Sequence, residues 1–151
     1  MFKISPLFLC AAIIGCASSG SSVSSTKVPD SAPVPVVGSA GSYLVSLGIG
    51  QTAQIQEEAL TLQLVEVNDS RCPPDVQCVW AGQATATLLV FQSGFPAQSL
   101  KIGTSAPVNF PSQASYRSFQ FSLKSLEPGP NKEGPAAAEL VRATILVEKL
   151  R

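Results

Sequence analysis

The sequence has no histidine, one tryptophan and few charges, since Lys, Arg, Asp and Glu make up 13% of its 151 residues. Without histidine it lacks the most common general base and a usual ligand of zinc. Ten basic residues balance ten acidic ones, and no basic stripe with aromatic residues indicates nucleic-acid binding. No serine lies in a Gly-x-Ser-x-Gly motif. We therefore expect no enzyme activity, no cofactor, no metal and no nucleic-acid partner.

The sequence also has no long apolar run at its start. About 11 apolar residues follow Lys3, whereas roughly 20 are needed to cross a bilayer. A basic start, a short apolar stretch and the small Gly15 before Cys16 are typical of a cleaved export signal, here residues 1–15. The alternatives are a transmembrane anchor, or an ordinary cleaved signal that leaves Cys16 as a free thiol.

Residues 13–16, Ile-Ile-Gly-Cys, resemble the lipobox of bacterial lipoproteins. The resemblance implies a diacylglycerol thioether on Cys16 and an acyl group, expected to be palmitate, on its new amino terminus. Cys10 follows the bulky Leu9 and is a poor lipidation site. Ala17 stands where Asp commonly retains Gram-negative lipoproteins in the inner membrane, so the resemblance implies an outer-membrane address. The expected membrane partner is thus reached through lipid on Cys16.

The composition divides the mature chain into two parts. Residues 16–42 contain the lipidated cysteine and then mainly Ser, Gly, Pro and Val, without a strand or helix period, so we expect a disordered tether. Residues 43–151, roughly 109 in number, have the usual size of one domain.

Apolar and polar residues alternate along this domain, as in strands with one buried face. The predicted strands are 43–47, 52–56, 60–64, 83–92, 99–102, 107–110, 119–124 and 141–148. Turn formers separate them, and only residues 133–141 suggest a short turn of helix. The sequence therefore predicts an all-β domain of seven or eight strands. We expect an antiparallel sandwich, Ig-like or Greek-key, with a barrel as the alternative.

Cys72 and Cys78 form the one cysteine pair of the domain, and in an exported protein we expect them to be oxidised. Five residues between them are too many for a thioredoxin-like motif. Closing a loop of about seven residues stabilises a fold by roughly 2.4 kcal/mol in the chain-entropy model. A structural staple is thus the simplest explanation, with a recognition loop, or a redox or metal site, as alternatives.

The loop between the two cysteines is stiff, because two prolines preset its backbone angles and an aspartate favours a turn. A stiff loop loses little entropy on binding. The candidate binding loop comprises Arg71, Pro73, Pro74, Asp75, Val76 and Gln77.

Residues 69–73 (DSRCP) and 78–82 (CVWAG), with a looser match over 116–128, resemble an uncharacterised family of small exported or lipid-anchored bacterial β domains. The resemblance implies a β fold and an extracytoplasmic compartment. It does not point to any particular activity.

Three further residues in or near this patch have expected structural roles. We expect Trp80 to be buried against the disulfide, with ligand contact as the alternative, and Gly82 to let the backbone turn into the next strand. We expect Asp69 to cap a turn or to pair with Arg71.

Taken together, the sequence predicts a non-catalytic, membrane-anchored envelope lipoprotein. Its domain would present two loops, residues 72–78 and 128–135, to an envelope protein or a glycan. The alternatives are an inhibitor-like domain that inserts a rigid loop into a hydrolase cleft, and a purely structural spacer.

Overall fold

The structure, a computed structural model, describes residues 34, 36–104, 112–131, 134 and 136–151. These residues form nine strands in two antiparallel sheets, so the all-β prediction is confirmed. The strands are β1 Val37–Ser39, β2 Ser42–Gly48, β3 Thr52–Ile55, β4 Leu60–Asp69, β5 Ala84–Gln92, β6 Gln98–Gly103, β7 Gln113–Tyr116, β8 Phe119–Glu127 and β9 Arg142–Lys149.

The two sheets pack face to face as a sandwich. One has the strand order β1-β2-β9-β8-β7 and the other β3-β4-β5-β6. Within the described residues the sheets do not join into a closed barrel, so the sandwich is found and the barrel is not. Two short 3-10 turns, Gln56–Glu58 and Ala138–Leu140, interrupt the strands, and the second lies within the predicted helical turn at 133–141.

Seven of the eight predicted strands are present. The eighth, residues 107–110, lies outside the described residues. The short edge strands β1 and β7 were not predicted. Every residue of β1 is exposed, so this strand has no alternation for the sequence to reveal.

The domain begins earlier than the sequence predicted. Residues 37–42 were assigned to a disordered tether, yet β1 pairs with the start of β2, and Val34 and Val36 pack against the core. Pairing supplies the backbone hydrogen bonds that composition alone did not indicate.

Alternating apolar side chains fill the space between the sheets. Leu60, Leu62 and Leu64 of β4 are fully buried, as are Phe121 and Ile145 from the facing sheet. Burial of this kind is the main favourable term in folding.

A β-bulge between Leu64 and Glu66 changes which side chains of β4 face inward. Beyond it, Val67 is opposite Ala86 and Asp69 is opposite Ala84, and both alanines are fully buried. Because directly opposed residues share a face of the sheet, Val67 and Asp69 point towards the interior at one end of the sandwich.

Candidate functional site

The segment between β4 and β5 forms a hairpin that extends beyond the sandwich. The Ser70 amide donates to the Gln83 carbonyl and the Cys72 amide to the Ala81 carbonyl, each at 2.9 Å. The Cys72–Cys78 disulfide joins the two arms, as predicted, with the Cα atoms 6.0 Å apart. We call residues 70–83 the disulfide hairpin.

Within the disulfide loop the backbone makes a tight turn. The Val76 amide donates to the Pro73 carbonyl at 3.1 Å, so Pro74 and Asp75 occupy the two central positions of a β-turn. Proline suits the first central position because its φ is already fixed. The loop is therefore held by a turn hydrogen bond as well as by the disulfide.

Gly82 lies where the two arms of the hairpin come closest. Its φ is +67°, and a Cβ at this position would be 1.7 Å from the Ser70 carbonyl oxygen. Only glycine accepts both the left-handed backbone and this contact. The prediction that Gly82 allows the backbone to turn into β5 is consistent with this geometry.

Arg71 connects the hairpin to the opposite sheet. Its Nε and Nη2 donate to the Asp69 carboxylate at 2.8 and 2.7 Å, so the predicted pairing is present. Nη2 also donates to the Leu126 carbonyl at 3.0 Å and lies 3.5 Å from the Pro128 carbonyl oxygen. One guanidinium thus links the end of β4 to the end of β8 and the loop that follows.

The ion pair changes the protonation equilibria of both partners. Burial alone raises the pKa of Asp69, but the hydrogen bonds and charge of Arg71 outweigh burial and hold the pKa below its ordinary value. The hydrogen bond to Asp69 raises the pKa of Arg71 more than burial lowers it. Both side chains are therefore charged, and together they are neutral.

A cleft of about 400 Å³ opens beside this ion pair, at the end of the sandwich from which the hairpin projects. We call that end the cleft end. Its described lining is mainly apolar or proline and glycine, with Asp69 and Arg71 as the ionisable side chains: Ile49, Val67, Asp69, Ser70, Arg71, Pro73, Leu126, Pro128, Gly129, Pro130, Asn131, Gly134, Ala136, Ala138 and Val141.

The structure separates the candidate binding loop into two groups. Arg71 and Pro73 line the cleft, whereas Pro74, Asp75, Val76 and Gln77 are exposed at the far end of the hairpin. The second predicted surface, residues 128–135, contributes its described residues to the same cleft. The lipidation candidate Cys16 lies outside the described residues.

The prediction that Trp80 is buried is wrong. Its side chain is 82% exposed, and the neighbouring Val79 is 92% exposed. The physical reason is the position of the disulfide. It lies in the hairpin beyond the last paired residues of β4 and β5, where no described strand of the facing sheet covers the ring.

Sequence reasoning missed the apolar lining of the cleft and the bridge to Leu126. Ile49, Val67 and Val141 come from three different strands or turns, and only the packing of both sheets brings them together. The spacing of Asp69 and Arg71, two residues apart as on one face of an extended chain, indicated their ion pair but none of these long-range contacts.

Comparisons with protein-family models, with curated proteins and with solved structures find no match to this chain. Among the residues that the structure describes, no helix has the length and apolar character needed to span a membrane. Fold and site define the protein as an antiparallel β-sandwich with a disulfide-closed hairpin and an adjoining cleft.

Proposed function

We propose that this protein is a non-catalytic, lipid-anchored envelope lipoprotein whose cleft end binds a protein or glycan partner. The observation that supports a binding role is the convergence of the two loops. The disulfide hairpin and residues 128–131 border one cleft, and Arg71 ties them together through the Leu126 carbonyl.

The anchor rests on the sequence. A short apolar segment followed by Gly15 and Cys16 supports lipidation, and two or more acyl chains make membrane attachment effectively permanent. Ala17 supports an outer-membrane location.

The chemistry of the cleft supports binding rather than catalysis. Its described ionisable groups, Asp69 and Arg71, form a bidentate ion pair, so the Asp69 carboxylate is not free to act as a general base. A preformed, mostly apolar surface with a few polar groups is typical of a recognition site.

Site-specific photo-crosslinking in intact cells tests this proposal. A photoreactive amino acid would replace Pro73, which lines the cleft from the hairpin, or Gly129 on the other border of the cleft. Gly129 has open space around its Cα. We expect the same adduct from both positions. The matched control is Val65, which is 49% exposed and is not among the residues that line the cleft.

A loop replacement provides the second arm. Residues 73–77 would be exchanged for Gly and Ser while both cysteines are kept, and the probe would stay at Gly129. Loss of the adduct with an unchanged melting temperature supports recognition by the loop. An unchanged adduct yield rejects the loop, and equal labelling from Val65 rejects the cleft end as the binding surface.

The projecting hairpin also favours a second candidate, an inhibitor-like domain that inserts the loop into a hydrolase cleft. A rigid loop that stands clear of its domain has the required shape. The identity of the adduct decides between the two candidates. A hydrolase that is labelled from Pro73 and inhibited by the purified domain supports inhibition, and any other partner contradicts it.

A further inference from the structure

The far end of the disulfide hairpin presents apolar side chains to solvent. Val79 and Trp80 are 92% and 82% exposed, and Val76 is 41% exposed. We call these three residues the hairpin tip. A disulfide and a tight turn hold the backbone in place, so the exposure is fixed by the fold. Single exposed apolar residues are ordinary, but three on one stiff loop mark an interaction site.

The described chain before β1 points towards the same end of the sandwich, although Val34 and Val36 themselves line a separate cleft with residues 54–57. Strand β2 runs towards the cleft end, because it finishes at Gly48 and the next residue, Ile49, lines the cleft. Strand β1 is antiparallel to β2, so the residues before it lie towards the cleft end. In agreement, the Val34 amide donates to the carbonyl of Thr52, which begins β3 just after the turn containing Ile49.

The length of chain before this entry point limits how far the domain can be from its anchor. Residues 16–33 number 18, and a chain of that length reaches at most roughly 60 Å when fully extended. Lipid on Cys16 would therefore keep the domain within roughly 60 Å of the bilayer, at a high effective concentration relative to its surface.

We infer that the hairpin tip inserts into the interfacial region of the bilayer that holds the lipid anchor, so that the cleft opens at the membrane surface. This inference rests on the proposed lipid anchor. Tryptophan favours the membrane interface because its ring is apolar and its indole N–H can still reach water. From Pro73 to Ala81 the only charged residue is Asp75, so the surface that fits is zwitterionic rather than anionic.

The single tryptophan makes the inference directly measurable, because all indole fluorescence comes from Trp80. Residues 16–151, which include every described residue, would be prepared with the disulfide intact. The Cys16 thiol would be coupled to a maleimide lipid in phosphatidylcholine vesicles. We expect the emission of Trp80 to move to shorter wavelength, its quenching by acrylamide to fall, and lipids brominated near the headgroup to quench it.

Matched substitutions test whether the tip is responsible. Val79→Asp should weaken insertion by about tenfold or more, because an apolar contact is lost and a carboxylate must be dehydrated. Val65→Asp adds the same charge at another exposed valine and should leave the Trp80 signal unchanged. Melting temperatures close to that of the unsubstituted protein show that both variants are folded.

Two results would overturn the inference. One is a Trp80 emission on vesicles equal to that of the uncoupled protein in buffer. The other is an equal loss of signal in both aspartate variants. Chemical coupling supplies the anchor in this experiment, so its outcome is independent of whether cells attach lipid to Cys16, which membrane fractionation of the Cys16→Ser variant tests separately.

Discussion

At the scale of single residues, Arg71 and Gly82 define the geometry of the cleft end. Arg71 satisfies the Asp69 carboxylate and a carbonyl of the facing sheet with one planar group, a role that the fork of a guanidinium fills and an ammonium does not. Gly82 permits the close approach of the two hairpin arms. Arg71 supplies hydrogen bonds, and Gly82 leaves room for the neighbouring hairpin arm because it has no side chain.

Gly82→Ala should destabilise the domain more than Gly94→Ala. Both glycines have positive φ, so each alanine variant has the left-handed penalty of roughly 1–2 kcal/mol. At Gly94 nothing lies within 4 Å of the new Cβ, whereas at Gly82 it meets the Ser70 carbonyl. Chemical denaturation of both variants measures the difference. Equal losses would show that the hairpin arms separate at no cost.

Arg71→Ala should lower the free energy of unfolding by about 1–3 kcal/mol, because it leaves a half-buried carboxylate and the Leu126 carbonyl without their donor. Arg71→Lys should recover only part of the loss, since lysine cannot form the bidentate pair. Lys124→Ala, at an exposed position, is the control and should change little. Urea denaturation provides the comparison.

The same pair predicts a pH dependence. The pKa of Asp69 is lower in the folded protein than its ordinary value of 3.8, so its stabilising contribution is present above that value and is lost as the pH falls through the folded pKa. The stability difference between the unsubstituted protein and Arg71→Ala should therefore be full above about pH 5 and shrink in stronger acid. A difference that is constant down to acid unfolding would contradict this assignment.

At the scale of elements, the disulfide hairpin is an extension of β4 and β5 and not part of the core. The buried side chains lie between the sheets, while residues 74–82 are exposed. The hairpin can therefore differ in stability from the sandwich that supports it.

Reduction of the Cys72–Cys78 disulfide should lower the melting temperature without unfolding the sheets at room temperature. The chain-entropy model gives a loss of roughly 2.4 kcal/mol for a loop of about seven residues, while the core keeps its contacts. Calorimetry and far-ultraviolet circular dichroism with and without reductant measure the two effects. The double variant Cys72→Ser/Cys78→Ser should melt like the reduced protein, and reductant should not change its melting temperature. Identical melting curves for the oxidised and reduced protein would contradict a stabilising role for the disulfide.

At the scale of the whole molecule, the position where the chain enters the sandwich relates the fold to its proposed anchor. Strand β1 runs away from the cleft end, so its first residue, Val37, is the one nearest to the end that carries the hairpin tip and the cleft.

Cys16→Ser should release the protein from membranes, because the proposed lipid attachment is lost. Cys10→Ser, within the predicted signal, should leave it attached and is the matched control. Fractionation of cells followed by detection in the membrane pellet measures both. Continued sedimentation of Cys16→Ser with membranes would contradict the lipid anchor on Cys16. Release of Cys10→Ser would indicate that Cys10 carries the lipid instead.

Alternation in the sequence was enough to find the main strands, because a half-buried strand must repeat every two residues. It found Leu60, Leu62 and Leu64 on one buried face, as the structure places them. It did not find β1, because all residues of β1 are exposed and do not alternate. This strand is recognised through its pairing with β2. Nor did it locate Trp80, since proximity to a disulfide in sequence does not say whether a sheet covers the ring.

The sequence by itself determined the all-β class, the cysteine pair and the loop between them, because periodicity, residue type and spacing are local properties. Tertiary structure alone decided that the hairpin, the turn with Ile49 and the loop after Leu126 border one cleft, and that Val79 and Trp80 remain outside the core. These are contacts between residues distant in the chain, and they depend on how two sheets twist and pack rather than on any short pattern.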